Sequence, residues 1–169
     1  MLMPAGSLAA EGREITRECK ISLAAHHKDR DALFDRKFMT GWSRYGKREG
    51  QIEITLPREV KEGGIYLCFA QEPALLELYQ GGGKEPIHRL DGLPFAHLYL
   101  PFQGNEPLKL RMLGGEKGLT LSELYVFTGP EPPAFVQRWL PTLEKADLMV
   151  LVAHPDDEIL WFGGAIPYY

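Results

Sequence analysis

Short runs of alternating apolar and polar residues fill the middle of the chain, from about residue 51 to residue 127. Residues 51–56 alternate strictly, which is typical of a strand with one face in water. Residues 64–70 are almost continuously apolar and predict a central strand of a sandwich. Further strands are predicted at residues 75–79, 97–100, 108–112 and 119–127. Glycine, proline and charged residues separate these runs, so the pattern predicts a mainly β protein, an antiparallel β-sandwich.

The pattern changes at residues 129–133, Gly-Pro-Glu-Pro-Pro, which cannot continue a central strand because proline lacks the amide donor. We therefore place the sandwich at residues 13–129 and a proline-rich linker at residues 130–146. Phe135, Trp139 and Leu143 recur at a spacing of four and predict a short helix from about residue 134 to 145. Residues 148–153 are apolar without alternation, as in a buried parallel strand, so residues 147–169 are predicted to begin an α/β domain.

Composition excludes several classes of function. The formal net charge of −4 leaves no basic footprint for nucleic acid, and no run of about 20 apolar residues predicts a transmembrane helix. Residues 1–12 are interpreted as a remnant of a signal peptide or as disordered, which favours a secreted or cell-surface location over a cytoplasmic one. Two cysteines, Cys19 and Cys68, match no zinc motif. The oligomeric state is left open.

The strongest candidate for chemistry follows the predicted buried strand at residues 148–153. His154, Pro155, Asp156, Asp157 and Glu158 lie where open α/β sheets bind ligands, at the carboxyl end of a strand. Pro155 restrains His154 to an extended backbone. The three acids occupy the first turn of the following helix, where the helix dipole favours ionised carboxylates. An imidazole and a carboxylate three residues apart can both bind one Zn²⁺, so the string predicts a metal site.

The string Ala-His-Pro-Asp-Asp-Glu after a buried strand resembles the signature of the PIG-L/LmbE-type deacetylases, over residues 146–169. These enzymes remove the acetyl group from N-acetylglucosamine-type amides with zinc on a Rossmann-like fold. The resemblance implies that His154 and Asp157 bind zinc and that Asp156 is the general base. It also implies that the intact protein is a metal-dependent hydrolase that acts on an N-acetylated amino sugar or glycoconjugate.

The resemblance also implies a third zinc ligand, a histidine beyond Tyr169. Only 16 residues follow Ala153, whereas one βαβ unit needs roughly 30 residues or more. The α/β domain is therefore truncated, and we predict that residues 1–169 alone hydrolyse no acetyl group.

A second resemblance covers about residues 15–129. Leu33-Phe34-Asp35 followed by Thr40-Gly41-Trp42, together with residues 121–126, resembles the galactose-binding-like jelly roll of discoidin and coagulation-factor type C (F5/8 type C) domains. The resemblance implies that Asp35, Thr40 and Glu123 hold a structural Ca²⁺. Arg36 and Lys37 stand where that family often has glycine and a second acid. Trp42 is interpreted as a core anchor.

A charged loop follows Trp42 and offers a candidate ligand site. Arg44, Tyr45, Lys47 and Arg48 are the residues that we expect to bind a ligand, although a solvated charged turn explains the same residues. Three functions therefore stand side by side. The chain is the inactive N-terminal part of a zinc deacetylase, a carbohydrate- or surface-binding module without catalysis, or a structural sandwich that mediates contacts.

Overall fold

The computed structural model describes residues 12–24, 27–93 and 95–138. This part of the chain forms two short 3-10 helices, Thr16–Glu18 and His27–Leu33, and ten β-strands. The strands are β1 (Arg13–Glu14), β2 (Lys20–Leu23), β3 (Trp42–Arg44), β4 (Glu49–Thr55), β5 (Glu62–Gln71), β6 (Leu75–Gln80), β7 (His88–Asp91), β8 (His97–Gln103), β9 (Leu108–Leu113) and β10 (Leu119–Thr128).

Two antiparallel five-stranded sheets contain all of these strands. In the front sheet the order is β1-β10-β5-β8, and β3 also pairs with β10. In the back sheet the order is β2-β4-β9-β6-β7. Each of the six strands predicted from the sequence is present, so the antiparallel sandwich is confirmed. The pattern missed β1, β2, β3 and β7, because strands of two to four residues are too short to show a period.

The core lies between the two sheets and consists of the inward-facing residues of each strand. Trp42 on β3 is fully buried, as expected of a core anchor. It packs among large apolar side chains that are also inaccessible to solvent, which are Leu33, Ile52, Ile54, Ile65, Leu67, Phe69, Leu76, Leu78 and Leu110. The outward residues of the same strands are polar, as Gln51 and Glu53 are on β4. Alternation along the strands thus separates core from solvent.

The outer face of the front sheet carries a second apolar cluster. Tyr66, Cys68 and Phe127 are buried there by Val136, which comes from the segment after β10. The Gln137 amide donates to the Tyr66 hydroxyl at 3.2 Å, and Val136 donates to the Pro133 carbonyl at 3.0 Å. Residues 130–138 of the predicted linker therefore pack on the sandwich.

The predicted helix at residues 134–145 is not seen in its described part. Residues 134–135 form a turn and residue 136 a bend, and the side chain of Val136 packs on the sheet. The remainder of that helix, the predicted Rossmann-like start at residues 147–169 and all but the last residue of the predicted remnant at residues 1–12 lie outside the described residues.

Both cysteines are buried free thiols. Burial raises the pKa of each thiol to about 11, so neither is a thiolate at neutral pH. Among the residues that the structure describes, no helix is both long and apolar enough to cross a bilayer.

Replacing Trp42 with alanine tests the core. We expect Trp42→Ala to lower the free energy of unfolding by about 3–5 kcal/mol, since it removes a fully buried ring between the sheets. Tyr45→Ala, three residues further along the chain and 77% exposed, should change it by less than about 0.5 kcal/mol. Urea denaturation of both variants measures the difference. Equal losses would contradict the assignment of Trp42 to the core.

Candidate functional site

The loop between β3 and β4 presents Tyr45 to solvent. The side chain is 77% exposed, while the backbone beneath it is held in place. Gly46 adopts a positive φ of 65°, and the Arg48 amide donates to the Gly46 carbonyl at 2.7 Å. The Arg44 guanidinium donates through Nε to the Glu49 carbonyl at 3.0 Å. The predicted ligand residues Arg44, Tyr45, Lys47 and Arg48 therefore lie together on one ordered loop, which joins the front sheet to the back sheet.

The loop between β9 and β10 supports the β3–β4 loop from the side. The Gly114 amide donates to the Arg48 carbonyl at 3.1 Å. Gly118 has a φ of 101°, and a Cβ there would lie 2.3 Å from the Arg44 carbonyl oxygen. A larger residue would therefore push the two loops apart. The exposed Tyr45 ring and its three basic neighbours therefore lie at one end of the sandwich, on a loop whose backbone is held by contacts with a second loop.

The predicted calcium residues Asp35 and Thr40 lie in the turn before β3. The Lys37 amide donates to Asp35 Oδ1 at 2.8 Å, and the Thr40 hydroxyl lies 2.8 Å from Asp35 Oδ2. The Thr40 hydrogen bond, followed by weaker effects of Lys37, lowers the pKa of the Asp35 carboxyl. Arg36 has a φ of 61°, in the left-handed region, which explains why glycine suits this position.

Glu123 approaches the same turn from β10. The pairing of β10 with β5 shifts register between Leu121 and Glu123, so a β-bulge lies there. Gly41 crosses this bulge so closely that a Cβ would lie 2.6 Å from the Leu121 carbonyl oxygen. Glu123 is only 4% exposed, and neither of its carboxylate oxygens makes a hydrogen bond of ordinary geometry within the described residues, although the Lys37 amide and the Asp35 carboxyl lie close enough to affect it. Burying an acid that is so weakly compensated is costly.

The two carboxyl groups influence each other. Burial raises the pKa of Glu123, and the nearby Asp35 carboxylate raises it further, while the Lys37 amide acts in the opposite direction. Glu123 therefore tends towards its neutral form and Asp35 keeps its charge. The structure thus brings together the three predicted residues Asp35, Thr40 and Glu123.

The donor set at this turn suits a hard cation. Two carboxyl groups, one of which makes no hydrogen bond of ordinary geometry within the described residues, offer the oxygen ligands that Ca²⁺ prefers. In the described part of the chain no three His, Cys, Asp or Glu side chains come together as a metal-binding group. A Ca²⁺ ion here would therefore complete its shell with backbone carbonyls and water. The predicted zinc residues His154, Asp156 and Asp157 lie outside the described residues.

Sequence reasoning missed a polar cleft on the outer face of the back sheet. The cleft has a volume of about 400 Å³, and its lining consists of Glu49, Tyr79, Gly82, Gly83, Pro107, Lys109 and Arg111. Alternate outward positions on β4, β6 and β9 supply the polar side chains. The alternation of polar and apolar residues along these strands does place polar side chains on this face, but an ordinary solvent-exposed strand face shows the same pattern.

An apolar cavity lies between the edges of the two sheets. It has a volume of about 440 Å³, and its lining consists of Leu90, Leu93, Phe95, His97, Leu98, Tyr99, Pro101, Pro130, Pro132 and Arg138. His97 is positioned there by a 2.8 Å hydrogen bond between its Nδ1 and the Tyr66 hydroxyl. None of the residues predicted to bind a ligand or metal lines this cavity.

Solved structures match the sandwich at low sequence identity. An F5/8 type C domain from Bacteroides fragilis matches at 16% identity with a TM-score of 0.50, over 71% of this chain and 98% of that domain. A GH29 fucosidase from Ruminococcus gnavus, in complex with fucose, matches at 17% identity with a TM-score of 0.54, over 68% of this chain but 26% of the fucosidase.

A third match is the Clostridium perfringens module CpGH89CBM32-6, at 15% identity with a TM-score of 0.50, over 66% of this chain and 94% of the module. At these identities the matches show the fold, which is the galactose-binding-like β-sandwich. Comparison with protein-family models finds no match, and comparison with curated proteins finds none.

The main functional prediction, the N-terminal part of a zinc-dependent deacetylase, is wrong. The structural neighbours are F5/8 type C and carbohydrate-binding modules, which favour the alternative of a binding module without catalysis. The described residues form a sandwich around its own core, and this is the fold that those neighbours share. The prediction for a longer protein rests on His154, Asp156 and Asp157, which lie outside the described residues, and stays a prediction.

The buried Glu123 makes stability depend on pH. Its pKa is raised on folding, so the folded state holds a proton that the unfolded state releases, and stability falls as pH rises from the ordinary glutamate pKa through the higher folded one. In buffer with a chelator, Glu123→Gln should lose this part of the pH dependence and be more stable than the native protein at pH 7. Urea denaturation at several pH values tests this. A variant that is less stable than the native protein throughout would contradict it.

Proposed function

We propose that the sandwich is a carbohydrate-binding module without catalytic activity of its own, and that it binds a glycan through the Tyr45 loop. The observation that carries the proposal is the combination at this loop of a 77% exposed tyrosine with a backbone fixed by hydrogen bonds and close glycine contacts. A rigid aromatic ring offers a flat apolar platform at little entropic cost.

The basic residues around Tyr45 supply the polar part of such a site. Arg44, Lys47 and Arg48 can each donate to sugar hydroxyls or to an acidic substituent. Arg44 is already oriented by its bond to the Glu49 carbonyl, so less side-chain entropy is lost on binding. The structural neighbours support this reading, because they include a carbohydrate-binding module and an F5/8 type C domain. Fucose, bound by the matching fucosidase, is one sugar to try first.

A calcium ion at the turn before β3 would have a structural role in this module. Asp35 and Glu123 would hold it, with Thr40 orienting the Asp35 carboxylate. The ion would supply positive charge beside a buried carboxyl group. It would thereby link the turn before β3 to β10, at the bulge that orients Glu123 towards this turn.

Removing the tyrosine ring tests the glycan site. We expect Tyr45→Ala to weaken binding about tenfold, since aromatic platforms contribute about 0.5–1.5 kcal/mol. Tyr45→Phe should keep most of the affinity, because the ring remains. Screening the protein on a glycan array, followed by calorimetry with the best ligand, measures this.

The basic residues are tested with two exposed lysines. Lys47→Ala should weaken binding, because Lys47 lies in the proposed site. Lys61→Ala is the matched control and should leave binding unchanged, because Lys61 lies just before β5 at the other end of the sandwich. Binding that survives Tyr45→Ala unchanged would contradict the proposed site. Absence of binding to every glycan on the array would contradict the function.

Calcium binding is tested by thermal unfolding. Calcium at about 100 times its dissociation constant should stabilise the native protein by about 2.7 kcal/mol, and Glu123→Gln should abolish this gain. Glu53→Gln, which changes an exposed acid on the back sheet, is the control and should keep it. An unchanged melting temperature in the native protein at millimolar calcium would exclude the site.

A further inference from the structure

The back-sheet cleft, defined by the seven residues Glu49, Tyr79, Gly82, Gly83, Pro107, Lys109 and Arg111, has the features of a second binding site. It runs along the outer face of β4, β9 and β6. Strand register places Pro107 and the Gly82 turn beyond the Leu108 end of β9, whereas Glu49 pairs with Leu113 at the other end. The Tyr45 loop lies beyond that second end. The cleft is therefore separate from the Tyr45 loop for most of its length.

A buried carboxylate holds the side chains of the cleft in place. Glu77 faces outward on β6 and yet is only 3% exposed. It accepts hydrogen bonds from Arg89 at 2.7 Å, from Arg111 at 3.0 Å and from the Tyr79 hydroxyl at 2.9 Å. Every oxygen of this carboxylate is used, so the Arg111 guanidinium and the Tyr79 ring are fixed before any ligand arrives.

The charges fixed in this way compensate one another. Arg111 bridges Glu77 and, at 3.0 Å, Glu49 Oε2, while Arg89 pairs with Glu77 and Asp91. The pKa of Arg111 is raised by Glu49 first and by Glu77 next, so it stays charged. A compensated network presents donors and acceptors side by side without a strong net field.

Two groups in the cleft remain available to a ligand. Lys109 makes no ion pair within the described part of the chain, although Glu53 lies opposite it in the strand register. The carboxylate of Glu53 instead accepts a 3.0 Å bond from Gln51. Glu49 Oε1 is the second group, since Arg111 engages Oε2. Lys109 lies opposite Tyr79 in the strand register, and Glu49 lies further along the cleft, beside Arg111.

We propose that the back-sheet cleft binds a second, neutral sugar residue. A pyranose has an apolar ring face that fits the half-exposed Tyr79 ring and neighbouring hydroxyls that both donate and accept. One hydroxyl would donate to Glu49 and another would accept from Lys109. A volume of about 400 Å³ is in the range of small-molecule sites. The internal charge balance favours a neutral sugar over a uronic acid or a sulfated one.

Nuclear magnetic resonance titration of the full chain tests this inference. The probes are galactose, N-acetylglucosamine and fucose, each to about 50 mM, with glucuronic acid as the anionic comparison. At least one neutral sugar should shift the amide signals of Gly82, Gly83 and Lys109. Lys109→Ala should weaken that response about tenfold, which is the loss expected for one charge-assisted hydrogen bond.

Two controls make the outcome decisive. Lys20→Ala changes an exposed lysine on β2 of the same sheet and should leave the titration unchanged. Tyr45→Ala should also leave the Gly82 and Gly83 shifts unchanged, so that failure of the Tyr45 site and failure of the cleft are distinguishable. The inference is overturned if no neutral sugar shifts these signals, if only glucuronic acid does, or if Lys109→Ala and Lys20→Ala behave alike.

Discussion

The antiparallel pairing of β5 with β10 is the constraint on which the rest of the structure depends. It joins residues 63–71 to residues 120–128, so the sandwich closes only when two distant parts of the chain meet. The other edge of β10 is shared by β1 and β3, and the Val126 amide donates to the Thr16 hydroxyl oxygen at 3.0 Å. The N-terminal segment and the Trp42 strand are therefore positioned by β10. Such non-local pairing is slow to form and specific once formed.

The bulge in β10 converts this strand from a structural element into part of a site. Leu119 and Leu121 face the core at odd-numbered positions, whereas Leu124 and Val126 face it at even-numbered positions. The alternation along β10 therefore shifts by one residue between Leu121 and Leu124. The extra residue turns Glu123 towards the Asp35 turn. A regular strand would have had to place either Glu123 or Leu124 in the wrong environment. The candidate cation site thus follows from an irregularity in hydrogen bonding.

Most of the fold could be predicted because long strands show a clear alternation of polar and apolar residues. The sites could be predicted only where their residues lie in short stretches of sequence with a recognisable pattern. Alternation found β4, β5, β6, β8, β9 and β10. The sequence around Trp42 indicated the core anchor, Asp35 and Thr40, and residues 121–126 indicated Glu123. The cleft was missed because Glu49, Tyr79 and Arg111 come together only through the register of three strands. The functional prediction of a deacetylase fragment was wrong because it rested on the short motif at residues 153–158, whereas the described residues form a sandwich that does not include the motif.

The segment after β10 covers an aromatic surface on the outer face of the front sheet. Tyr66, Tyr125 and Phe127 form one aromatic surface, and Phe135 meets each of these rings edge-on at 5.8–6.5 Å between ring centres. A shortened protein that stopped at Gly129, where the proline-rich stretch starts, would uncover this surface to water. Molecules of such a protein would tend to stick to one another through it. Any dissection of the chain should therefore keep the residues up to Arg138, whatever lies beyond them.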